Sequence, residues 1–218
     1  MTKQDWSLSI GNSISTFANQ ELAFLTLQGK TELQIRDKIA WHLQNNLPNG
    51  ACHIRKEYGI TREKCDLALL DTNMVPVCLV EFKAHTCATD EHLHNAKFYD
   101  CCVSDISKMH KIEQELLNQG IISSSIPKFY IFFQVTHEAK NFPTQQNLDK
   151  LICYYNIVLK GYNELKNSRM SAHDFIVDQW TRAQYQKLDK TGNFFDFEFN
   201  IQSYYGLDLK LHAMIMEV

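Results

Sequence analysis

Asp66, Glu81 and Lys83 lie in the stretch CDLALLDTNMVPVCLVEFKAH, residues 65–85, whose other positions are mostly apolar. Two carboxylates and an ammonium are expensive groups to set into segments otherwise fit for a core. The stretch reads as two strands joined by a six-residue turn, Asp71 to Pro76, so that Leu70 opposes Val77. Antiparallel partners then have position numbers of constant sum, which puts Asp66 opposite Glu81 and Lys64 opposite Lys83. Side chains alternate along a strand, so Asp66, Glu81 and Lys83 share a face with Ala68, Leu70, Val77 and Leu79. Leu67, Leu69, Cys78, Val80 and Phe82 take the other face. Both faces are apolar at the turn end, and a solvated polar face does not explain the charges.

Two carboxylates directly across a strand pair repel, and burial raises the cost. A divalent cation between them removes the conflict, since carboxylate oxygens are the donors that hard ions such as Mg²⁺ prefer. A lysine two residues on can orient or deprotonate a water there, and a phosphodiester held at the ion gains charge neutralisation and a positioned nucleophile. The plainer alternative is a structural salt bridge, with Lys83 neutralising Glu81 or Asp66.

The elements that must position these groups can be read from periodicity. A first helix is expected over 13–27 and a second over 31–47. In the second, Ile35, Ile39, Ala40, Leu43 and Leu47 form one stripe and Glu32 projects onto it. Residues 52–60 suit a strand, and 103–120 a helix with Val103, Ile106, Met109, Leu116 and Leu117 inward and Gly120 as its end signal. Lys108 and Lys111 fall on the solvent side of that helix. The run at 128–136 suits a central strand buried on both faces. Helices are expected at 147–166 and 172–188. Phe195, Phe197, Phe199 and Ile201, then Leu207, Leu209, Leu211, Ala213 and Ile215, suggest a terminal hairpin covered on one side. The order implies an α/β fold, a mixed central sheet flanked by helices.

Asp66 followed by Glu81-Phe82-Lys83 after a short hairpin resembles the PD-(D/E)XK nuclease superfamily. So does the order of helix with inward acid, strand, hairpin, helix and aromatic strand. The resemblance spans residues 30–136, about half of the chain, and departs from the pattern at Cys65, where the name-giving proline would stand. It implies a restriction-endonuclease-like core, an α-β-α sandwich, and a Mg²⁺-dependent DNA endonuclease in which Mn²⁺ can substitute. By that resemblance Asp66, Glu81 and the main-chain carbonyl of Phe82 bind the metal. Lys83 handles the attacking water, and Glu32 is the supporting helix acid. The rival is a non-catalytic nucleic-acid-binding or scaffold module on the same fold, its Asp/Glu/Lys cluster structural.

Around this centre, Arg55, Lys56, Arg62 and Lys64 form a basic patch suited to DNA phosphates, although a solvated loop interleaved with Glu57 and Glu63 would look the same. Glu57 is a substitute for the helix acid. Glu32 also has a plain explanation, a carboxylate favoured in a first helical turn. His85 extends the lysine's face, and Gln134 ends the aromatic strand. The window His85, Cys87, His92, His94, Cys101, Cys102 and His110 is rich in zinc-type donors, but no pair has finger or ribbon spacing. No Gly-rich phosphate loop is present, so no nucleotide cofactor is expected.

The 218 residues are 44% hydrophobic with a net charge of −3, enough for one domain over 1–218: the core at 30–136, then helices and a hairpin over 147–218. No apolar run reaches the ~20 residues needed to span a bilayer. Seven cysteines without a CxxC pair, and a start unlike a secretion signal, suggest reduced thiols in the cytoplasm. The open edge of the terminal hairpin suits pairing in a homodimer.

Overall fold

The run KFYIFFQVTHE has no polar face, and a strand of that kind must be covered twice. It forms β4 (Lys128–Glu138) in the interior of the sheet. The computed structural model describes residues 3–18, 21, 24–26, 31–47, 53–60, 62–87, 96–138, 148–151, 156, 159, 195–204 and 207–218. In it, Phe129, Ile131 and Phe133 enter one core while Tyr130 and Phe132 enter a second.

Helices close both cores. On the first face, α1 (Lys3–Ser15) and α2 (Thr31–Asn46) bring Trp6, Ile10, Ile14, Ile35, Ile39 and Leu43 against Leu67, Leu69, Val80 and Phe82. On the second, α3 (Ala96–Asn118) lays Ile106, Met109, Ile112 and Leu116 on Ala68, Leu70 and Leu79. Each fully buried aliphatic or aromatic side chain contributes roughly 1.5–3 kcal/mol, which lets the fold carry a few buried charges nearby.

The remaining strands are β1 (His53–Tyr58), β2 (Cys65–Leu70), β3 (Pro76–Cys87), β5 (Phe195–Tyr204) and β6 (Leu207–Glu217), and a short α4 (Leu148–Leu151) follows β4. The sheet order is β1-β2-β3-β4-β6-β5. β1, β2 and β3 are antiparallel neighbours, β3 and β4 run parallel, and β6 is antiparallel to both β4 and β5. A parallel pair needs a long crossover, which α3 supplies between β3 and β4. The chain is therefore mixed α/β, with helices on both faces of a mixed open sheet.

The β2–β3 register keeps the expected sum at Leu67↔Val80, Ala68↔Leu79 and Leu69↔Cys78, then shifts, so that Leu70 meets Pro76 and not Val77. The turn is tighter than expected because Asp71 closes it. Its Oδ1 accepts the N–H groups of Asn73 (2.8 Å) and Val75 (2.9 Å), and Met74 takes a left-handed φ of 64°. Gly120 does end α3, at φ 68°, with the Ile121 N–H donating back to the Leu116 carbonyl at 2.9 Å.

Four expectations need correcting. The first helix lies at Lys3–Ser15, earlier than 13–27, although Glu21 and residues 24–26 are helical too. The helix expected at 103–120 starts at Ala96, and Val103 on it is exposed. The strand expected at 52–60 is the shorter His53–Tyr58. The terminal hairpin is covered on both sides near its end. Ala213 and Ile215 enter the first core and Met216 the second, because β6 is an interior strand between β4 and β5. Most of the helix expected at 147–166, all of that at 172–188, and the side chains of the 195–201 face lie outside the described residues. No helix among the described residues is long and apolar enough to cross a membrane.

Candidate functional site

The β2–β3 ladder stops at Leu67↔Val80, and past that point side chains join the strands. The Asp66 N–H donates to Glu81 Oε2 at 3.1 Å, and the Phe82 N–H donates to Asp66 Oδ2 at 2.9 Å. Each carboxylate thus satisfies a main-chain donor of the opposite strand, and the two acids sit side by side as the constant sum requires. On the other side of β2 the pairing Lys56↔Leu67 and Tyr58↔Cys65 passes over Glu57 and Asp66.

Alternation also breaks here. Cys65 packs in the second core, whereas Leu67, two residues on, packs in the first. Asp66 accordingly does not point with Glu81 and Lys83 toward α3. Its Oδ1 accepts from Arg36 Nη1 of α2 at 3.2 Å. The expected single face for Asp66, Glu81 and Lys83 is corrected to a site that passes through the sheet, where two strands part.

From α2, Glu32 Oε2 accepts the Ala84 N–H at 3.1 Å, so the acid expected to point inward does so. Arg36 is buried and shared among three carboxylates: Asp66, Asp37 at 3.2 Å and Glu57 at 3.5 Å. Glu57 holds a left-handed φ of 51°, a conformation that costs a residue with a Cβ about 1–3 kcal/mol. From α3, Lys108 pairs with Glu81 Oε1. Asp105 Oδ2 stands 3.4 Å from Lys83 Nζ, and its Oδ1 lies 3.6 Å from Lys108 Nζ.

Lys83 therefore neutralises neither Glu81 nor Asp66 directly; its ion pair is with Asp105. Lys108, expected in solvent, faces the site. Arg36, Asp105 and Lys108 are the participants that sequence reasoning missed. A usable signal existed for two of them: Asp105 and Lys108 flank the Ile106–Met109–Ile112 stripe at i, i+3 spacing.

Burial, and then the neighbouring charge of Asp66, push Glu81 up to about 8, only partly opposed by Lys108. Glu32 is also raised, chiefly by burial. Burial alone would lower Lys83, but Asp105 and Glu32 outweigh it and the net direction is upward. The same balance, with Glu81 as the main partner, raises Lys108.

Of the basic patch, Arg55, Lys56, Arg62 and Lys64 are all exposed. Arg62 and Lys64 lie in the connection from β1 to β2, at the end of β2 that carries Asp66, while Lys56 reaches Asp37 at 3.2 Å. Gly59 begins that connection, and a Cβ on it would come within 2.2 Å of the Glu63 carbonyl oxygen. His85 and Gln134 are neighbours in the β3–β4 ladder. Their side chains and that of Cys87, and the whole of His92 and His94, lie outside what is described. Cys65 and Cys102 are buried free thiols, and burial pushes Cys102 up to about 11. Among the described residues, no three Asp, Glu, His or Cys side chains converge as a metal cluster.

No family model matches the chain, and neither a curated protein nor a solved structure matches it.

Proposed function

We propose that the chain is a metal-dependent nuclease that hydrolyses DNA phosphodiester bonds on a restriction-endonuclease-like core. One observation carries this reading: Asp66 and Glu81 lie side by side where β2 and β3 part, with Lys83 two residues on and Glu32 reaching in from α2. The donor chemistry fits a hard divalent ion. Two carboxylates, the Phe82 main-chain carbonyl and waters make a set that Mg²⁺ accepts, and Glu81, held near 8 by burial and by Asp66, is a carboxylate such an ion would relieve. When bound, the ion supplies charge neutralisation for the phosphodiester and lowers the pKa of a coordinated water.

The chain's own groups would do the rest. Lys83 stays protonated near neutral pH because Asp105 and Glu32 outweigh its burial, so it serves as a cation and not as a proton acceptor. Its part is to orient the attacking water and to offset charge building on the phosphate. Glu32, fixed on the Ala84 N–H, adds a negative charge that helps keep Lys83 protonated. Arg55, Lys56, Arg62 and Lys64 would hold the DNA backbone beside Asp66. Two copies joined along the β5 edge would place two such sites on one duplex; a monomer at micromolar concentration in sedimentation would count against that. Free thiols at Cys65, Cys78, Cys101 and Cys102 are in keeping with a cytoplasmic setting.

The test is plasmid cleavage with Mg²⁺ or Mn²⁺. EDTA should abolish it, and Lys83→Ala should slow it about 10²-fold. Cleavage indifferent to both would belong to a contaminant and would remove the assignment. A second reading, a nucleic-acid-binding or scaffold module with a structural charge cluster, is favoured by one fact: Arg36 and Lys108 already neutralise Asp66 and Glu81. It requires no divalent-ion response at all, with DNA binding retained if the module is a nucleic-acid binder.

A further inference from the structure

All four carboxylate oxygens of Asp66 and Glu81 have a donor. Two donors are main-chain, the N–H groups of Phe82 and Asp66, and cannot leave without moving a strand. The other two are the cations Arg36 and Lys108, and they are held very differently. The Arg36 side chain is 8% exposed and shared among Asp37, Glu57 and Asp66. That of Lys108 is 21% exposed, and Asp105, one turn back on the same helix, offers it a second carboxylate 3.6 Å away. A lysine is a compact charge on a flexible four-carbon stem, so it can pass from Glu81 to Asp105 with the backbone unmoved.

We infer that Lys108 is an internal stand-in for a divalent ion at Glu81, displaced toward Asp105 when the ion enters, so that α3 sets how tightly the site takes a cation. The inference rests on the nuclease reading and deepens it. Asp105 holds Lys83 through Oδ2 at 3.4 Å while its Oδ1 already stands 3.6 Å from Lys108, so the one carboxylate can receive the displaced ammonium and keep Lys83 in place. Lys108 acts through Glu81 and Asp105 and is a positioning residue.

The test is calorimetric titration of the full chain with Mn²⁺ alone, without nucleic acid. Removing a competing unit charge in contact with Glu81, as in Lys108→Met, should tighten Mn²⁺ binding about tenfold. Lys108→Arg should stay near the wild-type affinity, and Asp66→Asn should remove binding in either background. Lys108→Gln, which keeps an N–H for Glu81 without the charge, carries the same expectation if the Met variant does not fold. Asp66-dependent binding that Lys108→Met and Lys108→Gln leave unchanged or weaken overturns the inference and leaves the nuclease reading standing, as does Lys108→Arg behaving like Lys108→Met. No Asp66-dependent Mn²⁺ binding in wild type or in either variant overturns both.

Discussion

Helix α3 holds two glutamate–lysine pairs against the sheet region, five residues apart along its length, and they behave oppositely. In one, Glu113 meets Lys128 at 2.8 Å, both side chains 6% exposed. In the other, Lys108 meets Glu81, whose side chain is 5% exposed. The two carboxylates are thus equally shielded from solvent, although Glu81 lies deeper in the protein. The groups around them differ as well. Glu113 also accepts from Ser125 Oγ at 2.6 Å and from the Ile126 N–H at 2.9 Å, and these donors with Lys128 outweigh its burial and lower its pKa. Glu81 has Asp66 beside it, and its pKa rises to about 8. Together with Glu81 the cluster holds four carboxylates, Glu32, Asp66, Glu81 and Asp105, against three cations, Arg36, Lys83 and Lys108. The first pair is saturated with donors and reads as a clasp. The second has acid to spare, the condition that suits an incoming cation.

The largest expected effect breaks the clasp. Lys128→Met leaves the Glu113 charge buried without its counter-ion and should cost about 3–5 kcal/mol of stability in urea unfolding. A loss below about 1 kcal/mol would mean that the two pairs do not differ as described.

Next in size is an opposition in pH. Glu81 has a folded-state pKa above its unfolded value, so the folded state binds more protons between about 4.5 and 8. Its contribution is full below that window and is lost as pH rises through about 8. Glu113 is lowered, so its contribution is present above the usual carboxylate range and is lost as pH falls through its folded value. Glu81→Gln should therefore flatten the decline of stability between pH 5 and 8, by on the order of a few kcal/mol across the window. Glu113→Gln should leave that slope alone and flatten the acid limb instead. Chemical denaturation at several pH values reads both, and equal slopes in the two variants would erase the contrast.

The smallest effect is a control on the same helix. Lys111 is 66% exposed and 3.9 Å from Glu63, so Lys111→Ala should change stability by less than about 0.5 kcal/mol.

The sequence held the sheet's logic well and the site's surroundings poorly. A strand run without a polar face, at 128–136, could only be interior, and the constant-sum register set Asp66 beside Glu81 although the turn it assumed is one residue too long; the irregularity between Leu69 and Leu70 absorbs the difference. What could not be read was the break in alternation at Cys65 and Asp66. It depends on carboxylates taking over main-chain donors once the ladder ends, and period-2 patterning carries no trace of that. Lys108 was misplaced because a charged residue beside an apolar stripe is ordinarily solvated. Its partner Glu81 comes from a strand 27 positions away. Arg36 was hidden similarly: it follows the buried Ile35, and the carboxylates that make its burial tolerable come partly from β1 and β2. The burial of β6 on both faces was invisible because its neighbour β4 lies some eighty residues back in the chain.

The hydrogen bonds from the Asp66 and Phe82 amides to carboxylate oxygens have a practical consequence. An amide proton bound to a carboxylate resonates according to that group's charge, whereas one in an ordinary ladder does not. These two protons are therefore a built-in spectroscopic readout of the site. They would register a change of charge at the site, such as the arrival of a cation, in solution and without a label at the centre itself.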